Sequence, residues 1–308
     1  MMENFNVDFV FPYLNPDDPN WREIYSYCKG EAPESNNVRF RDFSLLKYIF
    51  RSIELYAPWV NRICIIVQSK SQVEGILKES SNLRIIEHKE FIPEKYLPVF
   101  NSNTIEMFLP KIKGLNEHIL YSNDDLIFFN SSTKSNFFMS SKTPLYAFTG
   151  KNNSGSNFSK LCKRLYKLIT SKYPSPLPNN GNFAYLKQWH GAAVPLLFSD
   201  MEKCYEDFED DILKSLTMFR DCSKNLNQYI YGLYSFCKGH SQRIDQKLMG
   251  TYFSMDDYEN VKDLIFSLKK CTSKMVCIND TERMTDNCIE EIYKFLDEKF
   301  PDKSIYEV

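Results

Sequence analysis

The segment His118-Ile119-Leu120-Tyr121-Ser122-Asn123-Asp124-Asp125 runs from four strand-forming residues straight into a polar, doubly acidic turn. Three similar apolar runs precede it. Val7 to Leu14 (VDFVFPYL) reads as a buried strand that ends at the turn-rich Asn15-Pro16-Asp17-Asp18-Pro19. Arg62 to Gln68 (RICIIVQ) and Leu83 to Glu87 (LRIIE) are β-branched runs of the same kind. Between the first two, Phe43, Leu46, Ile49/Phe50, Ile53 and Ala57 recur at helical spacing. They predict an amphipathic helix from about Asp42 to Tyr56, stopped by Pro58. A short helix opening at Trp21, with Asn20 as its cap, and another over Thr104 to Phe108 complete the alternation. Strands alternating with helices predict a mostly parallel α/β sheet, Rossmann-like in its winding. Ligands bind such sheets at the carboxyl ends of the strands. Asn15, Gln68 and the Asn123-Asp124-Asp125 cluster all fall there.

The chain of 308 residues, 43% of them hydrophobic, can bury one large core or a core with a sizeable insertion. A net charge of -2, with Lys and Arg spread along the length, excludes a polybasic nucleic-acid surface. No basic stretch followed by an apolar run opens the chain, and no apolar segment is long enough to span a bilayer. The nine cysteines form no C-x-x-C pair, which fits reduced thiols in a cytoplasmic protein.

Beyond the acidic turn the pattern changes. Lys151 to Ser156 (KNNSGS) and Tyr173 to Gly181 (YPSPLPNNG) read as irregular. Helical patterns follow near Phe158–Ser171, Pro195–Tyr205, Glu209–Phe219, Leu226–Cys237 and Tyr258–Lys269. A strand, Met275 to Ile278, and a helix, about Asp286 to Lys299, close the chain. The expected organisation is an α/β core over 1–150, a mostly helical insertion over 151–272, and a strand and helix returning to the core over 273–308.

Four constellations have the chemistry of a site, and each has an ordinary structural alternative. Asn123-Asp124-Asp125 supplies hard oxygen ligands for a divalent cation, and is equally common turn chemistry. Asn101-Ser102-Asn103 precedes a helix whose free N–H groups suit an anion; Ser102 or Asn103 is also a plain cap. His190 is followed by Gly191, Ala192 and Ala193, small neighbours that would leave room for a substrate. Its near-neutral pKa suits proton transfer, although a hydrogen-bonded loop histidine reads the same. His88 and His118, beside strands, read as structural. Arg220 offers a fork that matches phosphate oxygens, and by itself is one arginine among many.

In order along the chain, these segments resemble the four conserved blocks of the Stealth family of sugar-phosphate transferases. The first is Val7-Asp8-Phe9-Val10-Phe11-Pro12-Tyr13-Leu14-Asn15 with Asp18-Pro19-Asn20-Trp21. The second begins at Arg41-Asp42. It continues through Lys47 to Glu54 and Ala57-Pro58-Trp59-Val60, resumes at Leu97-Pro98-Val99-Phe100-Asn101-Ser102 and Ile105-Glu106, and closes with Tyr121 to Asp125. The third runs from His190 to Arg220, with Asn227-Gln228-Tyr229 beyond it. The fourth is Val276-Cys277-Ile278-Asn279-Asp280.

That resemblance implies a GT-A-like nucleotide-sugar fold. It also implies transfer of a sugar-1-phosphate from a UDP-sugar to a hydroxyl of a glycan or lipid-linked oligosaccharide, releasing UMP, in capsule or surface polysaccharide synthesis. Asp8, Asn15, Arg41, Asn101, Ser102 and Asn123 would line the donor. Asp124, Asp125 and Asp280 would hold Mg²⁺ or Mn²⁺, and His190, Arg220 and Asp125 would carry catalysis. No nucleic acid or transmembrane segment is implied; peripheral association with a membrane assembly complex, at the inner face of the membrane, stays open, although no motif marks it. Two other readings share these residues: a glycosyltransferase that releases UDP, and a non-catalytic glycan-assembly protein.

Overall fold

The computed structural model describes residues 4–33, 45–150, 156–176 and 186–308. Arg41 and Asp42, and with them the start of the helix expected from Asp42, lie outside the described residues. The chain opens with β1 (Val7–Pro12), α1 (Pro19–Lys29), α2 (Leu46–Tyr56), β2 (Arg62–Val67), β3 (Leu83–Glu87), α3 (Ser102–Met107) and β4 (His118–Tyr121). It continues with β5 (Leu126–Phe128), β6 (Phe138–Ser140), β7 (Thr143–Gly150), α4 (Asn157–Lys172), β8 (Leu186–Gln188), β9 (Val194–Leu197), α5 (Phe198–Asp207) and α6 (Glu209–Ser215). The remainder is α7 (Tyr229–Cys237), β10 (Gln242–Ile244), α8 (Gln246–Met249), β11 (Gly250–Ser254), α9 (Val261–Lys269), β12 (Met275–Asn279) and α10 (Asp286–Lys299).

The central sheet has the order β3-β2-β1-β4-β9. Strands β3, β2, β1 and β4 are parallel, as the alternation of strands and helices predicts. Such a sheet is covered on both faces, and alternate side chains feed two cores. Phe9, Phe11, Ile63, Ile65 and Leu120 pack with α2, α9, α10, β5 and β12. Val10, Cys64, Ile66, Ile119 and Tyr121 pack with α3, α4, α5, α6 and α7. No helix among the described residues is long and apolar enough to cross a membrane. All nine cysteines are unpaired.

Two local readings shift, and one further strand changes sheets. The cap of α1 is Asp18, whose carboxylate accepts from the Asn20 backbone N–H at 3.1 Å; Pro19 at the first turn has no N–H to lose. Pro195, expected to open a helix, lies in β9, which runs antiparallel along the edge of β4. An edge strand tolerates proline because an N–H facing away from the ladder has no partner to lose. Strand β5 is the one that changes sheets. It leaves the central sheet after the acidic turn and pairs antiparallel with β12, which pairs with β11.

The helical layer is tied down by a carboxylate. Asp207, at the end of α5, accepts from the Tyr173 hydroxyl at 2.5 Å, the Tyr234 hydroxyl at 3.0 Å and the Lys172 ammonium at 3.3 Å. Burial would raise this carboxyl, but the three donors outweigh it and hold it down at about 2. The folded value lies below the ordinary 3.8, so the stabilisation is present at neutral pH and is lost as pH falls through about 2. Urea unfolding should therefore find Asp207→Asn less stable than wild type at pH 7 by on the order of 2 kcal/mol. The difference should vanish near pH 2. An equal deficit at both pH values would mean that the carboxylate's charge is not what stabilises the layer.

Candidate active site

A cleft of about 880 Å³ runs along the carboxyl edge of the parallel strands. That is within the range of small-molecule sites. Its wall collects Tyr13 after β1, Gln68 after β2, His88 after β3 and Asn123-Asp124-Asp125 after β4. From elsewhere in the chain come Ser102, Glu106, His190, Arg220, Tyr229, Asn279 and Asp280.

The path of the chain explains why the distant parts meet. Tyr121 of β4 pairs with Val194 of β9 in antiparallel register. The residues just before β9 are thereby set against those just after β4. His190 Nε2 lies 3.8 Å from Asp125 Oδ2 and 3.4 Å from Asn123 Nδ2. Its Nδ1 lies 2.8 Å from the Tyr229 hydroxyl. Burial would lower the His190 pKa, but the Asp125 carboxylate and the more distant Glu106 reverse this and leave it raised.

Asp125 is held from the far side by β12. Its carbonyl accepts from the Ile278 N–H at 3.0 Å. The Cys277 thiol donates to its Oδ2 at 3.2 Å. Burial and the neighbouring Asp125 push that thiol well above its ordinary pKa, so it is a neutral donor and not a thiolate. The other oxygen, Asp125 Oδ1, is buried without a partner.

Arg220 reaches the cleft on a loop built by amides. Its guanidinium donates to Ser102 Oγ. Asn225 Oδ1 accepts from the Asp221 N–H at 2.7 Å, and its Nδ2 donates to the Ser215 carbonyl at 2.7 Å. Asn101 Nδ2 donates to Asn225 Oδ1 and to Thr217 Oγ1, both at 3.0 Å. Arg164 clamps the same loop through the carbonyls of Cys222 and Asn225. Glu106 is buried beneath. It accepts from the Gln228 N–H at 3.0 Å and the Tyr121 hydroxyl at 3.2 Å, and burial raises its carboxyl despite these donors and nearby Arg220.

Of the residues expected from the sequence, His190, Arg220, Asp124, Asp125, Asn123, Ser102 and Asp280 line this one cleft. Three others lie elsewhere. Asn101 is 1% exposed, caps α3 through the Asn103 N–H in place of the expected Ser102 or Asn103, and holds the Arg220 loop. Asn15 sits between the lining residues Leu14 and Pro16, and its side chain accepts from the Asp17 N–H in a turn. Asp8 lies near the beginning of β1, away from the carboxyl edge, and is 0% exposed. It receives Arg62 at 2.6 and 3.2 Å and the backbone and side chain of Asn116 at 2.8 and 2.7 Å. The small residues after His190 do not make room for substrate. Gly191, Ala192 and Ala193 are buried. A Cβ on Gly250 would stand 1.9 Å from the Gly191 carbonyl oxygen. The residues serve close packing of two backbones.

Sequence reasoning quoted Glu106, Cys277 and Tyr229 but gave them no role; their burial against His190, Asp125 and Arg220 is what marks them. His88, read as structural, lines the cleft.

The conserved region 2 of the Stealth protein family matches residues 39–146. The chain is 29% identical to the capsular polysaccharide phosphotransferase WcwK of Streptococcus pneumoniae, over 98% of this chain and 99% of that one. It is 38% identical to the exopolysaccharide phosphotransferase cps2G of Lactiplantibacillus plantarum over 144 residues, 46% of this chain and 41% of the other. Against the capsular polysaccharide phosphotransferase SacB of Neisseria meningitidis serogroup A it is 26% identical over 99% of its length, and spans 57% of that protein. These relatives are named for phosphotransfer in polysaccharide synthesis, and the acidic and cationic cleft at the carboxyl edge of the parallel sheet is this chain's candidate site for such chemistry. Residues 39–146 thus match the Stealth family's conserved region 2, and the relatives that the chain resembles along nearly its whole length are polysaccharide phosphotransferases.

The buried Asp8–Arg62 pair gives a direct test of placement. Removing one partner leaves the other uncompensated, so Asp8→Ala should lower unfolding free energy by about 3–5 kcal/mol in urea titration. A variant as stable as wild type that had lost affinity for a nucleotide would return Asp8 to the ligand.

Proposed function

We propose that this chain transfers hexose-1-phosphate or N-acetylhexosamine-1-phosphate from a UDP-sugar to a glycan hydroxyl, at the cytoplasmic side of capsule or surface polysaccharide synthesis. The names of its relatives support the phosphotransfer. The observation that carries the reading is the Asp125–His190–Tyr229 chain in one cleft with Arg220.

In this reading Nδ1–H donates to the Tyr229 hydroxyl, so the lone pair of Nε2, beside Asn123 and Asp125, is the one that meets the acceptor hydroxyl. The acceptor hydroxyl attacks the β-phosphorus. Its oxygen–phosphorus bond forms as the bond from that phosphorus to the bridging oxygen breaks. The hydroxyl proton passes to Nε2, and UMP departs. Asp125 and Glu106 stabilise the imidazolium, in keeping with the raised pKa. Arg220, steadied on Ser102, neutralises the phosphoryl oxygens as charge develops.

The donor set bears on a metal as well. Asp125, His190 and Cys277 bring ligand atoms within 4.8 Å of one another. The unpartnered Asp125 Oδ1 beside exposed Asp124 suits a hard cation such as Mg²⁺ or Mn²⁺, which would offset pyrophosphate charge. Asp280 lines the same cleft and is the third carboxylate available to such an ion.

Chromatography of the nucleotide formed from a UDP-sugar, an acceptor glycan and a divalent ion tests the reaction. UMP is expected; UDP would assign attack at the anomeric carbon instead. His190→Ala and Arg220→Ala should each lower the rate by about a hundredfold or more while unfolding at the wild-type midpoint. Near wild-type turnover in either would dismiss its role.

A further inference from the structure

One wall of the cleft holds polar atoms that the reaction above does not use. Gln72 closes a single helical turn, Lys70–Gln72, after β2 and is 0% exposed. Its amide oxygen and amide nitrogen both lack a hydrogen-bond partner. Gln68 Oε1 and His88 Nδ1 are buried and unpartnered in the same way. All three residues line the cleft. A buried donor or acceptor left unmade costs roughly 1–3 kcal/mol, and such groups are rare in native proteins. Their clustering in one wall of a ligand cleft asks for a ligand with several donors and acceptors at one edge.

Position narrows what that ligand is. Gln68 follows β2 and His88 follows β3, whereas the acidic turn and His190 stand at the β4–β9 end of the same edge. Neighbouring strands are about 4.8 Å apart, so two spacings from β2 to β4 separate these groups by about 10 Å along the edge. In a nucleoside diphosphate sugar the transferred sugar adjoins the reacting phosphorus. The group that lies a ribose and a phosphate away is the base.

We infer that Gln72, with Gln68 and His88, seats the nucleobase of the donor by hydrogen bonding to its edge. The inference rests on the nucleotide-sugar reading above. A carboxamide offers a donor and an acceptor in one plane, which matches the N–H and carbonyl that stand side by side on uracil. Gln68 Oε1 adds a second acceptor. His88 is held neutral near pH 7, since burial pushes its pKa down to about 4, and so takes either role without charge. A phosphate would not choose this wall, because none of the three side chains is cationic at neutral pH.

Calorimetry of the whole chain with UMP and with ribose 5-phosphate, which lacks the base, isolates the contribution. Wild type should bind UMP about tenfold or more tightly than ribose 5-phosphate. Gln72→Leu should remove most of that advantage and leave ribose 5-phosphate binding unchanged. The same substitution should leave the unliganded unfolding midpoint unchanged or higher, since it deletes two orphaned polar atoms. Gln68→Met, at a less buried position, should reduce the advantage severalfold and serves if the first variant does not fold. An advantage that survives both substitutions, or equal losses for both ligands, would overturn the base seat and leave ordered water as the partner of these atoms. A lowered midpoint with an intact advantage would assign Gln72 to the packing alone. Product analysis stays separate. UDP in place of UMP would remove the phosphoryl transfer and leave the base seat standing; UMP as product with no base preference would do the reverse.

Discussion

The antiparallel seam between β4 and β9 is the constraint from which the site follows. Four strands of the central sheet run the same way, and their carboxyl ends make one edge. A fifth parallel strand would have sent the residues preceding it to the opposite edge. Because β9 runs backward, pairing of Tyr121 with Val194 delivers His190 to the edge where β4 ends. A slip of one residue would turn every β9 side chain to the other face and carry the imidazole away from Asp125. The edge position also accommodates Pro195, which a central strand would refuse.

Support for His190, Arg220 and the acidic turn comes from a layer of residues that do not touch the cleft's centre. Asn101, Asn225 and Thr217 form a buried amide and hydroxyl knot under the Arg220 loop. Asp8 with Arg62 and Asn116 fixes the opposite end of β1. Arg51 of α2 binds Glu307 through two contacts of 2.7 Å and takes the Phe300 carbonyl at 2.9 Å, which draws the last residues against the core. The polar residues of the resembling blocks thus divide into those that face the ligand and those that hold the facing ones in place.

That division marks how far the sequence could be read. Apolar runs and helical periodicity placed the parallel strands, the closing helix and the acidic turn, because those elements carry their own pattern of burial. Block order brought His190, Arg220 and the acidic pair into one hypothesis, and a single cleft contains them. What escaped depends on partners remote in the chain. Asp8 and Asn101 look like ligand residues until Arg62 and Asn225 are seen beside them. Cys277 and Tyr229 look like core until Asp125 and His190 are found against them. Gln72 carries no local signal at all; only a three-dimensional boundary reveals that its amide lacks company. The strand at Val194–Leu197 was hidden because a short apolar run before a helix has no period of its own.

The meeting of Gly191 and Gly250 has a mechanical corollary. Two main chains touch there without side chains between them, and the Trp189 indole ties the same point by donating to the Gly250 carbonyl at 2.9 Å. Side chains absorb small errors by changing rotamer; bare backbone cannot. The imidazole therefore inherits its coordinates from β11, and shares them with β12, the strand that carries Cys277. Histidine and carboxylate ride on one rigid plate, so a distortion of that plate would move both together and preserve their spacing.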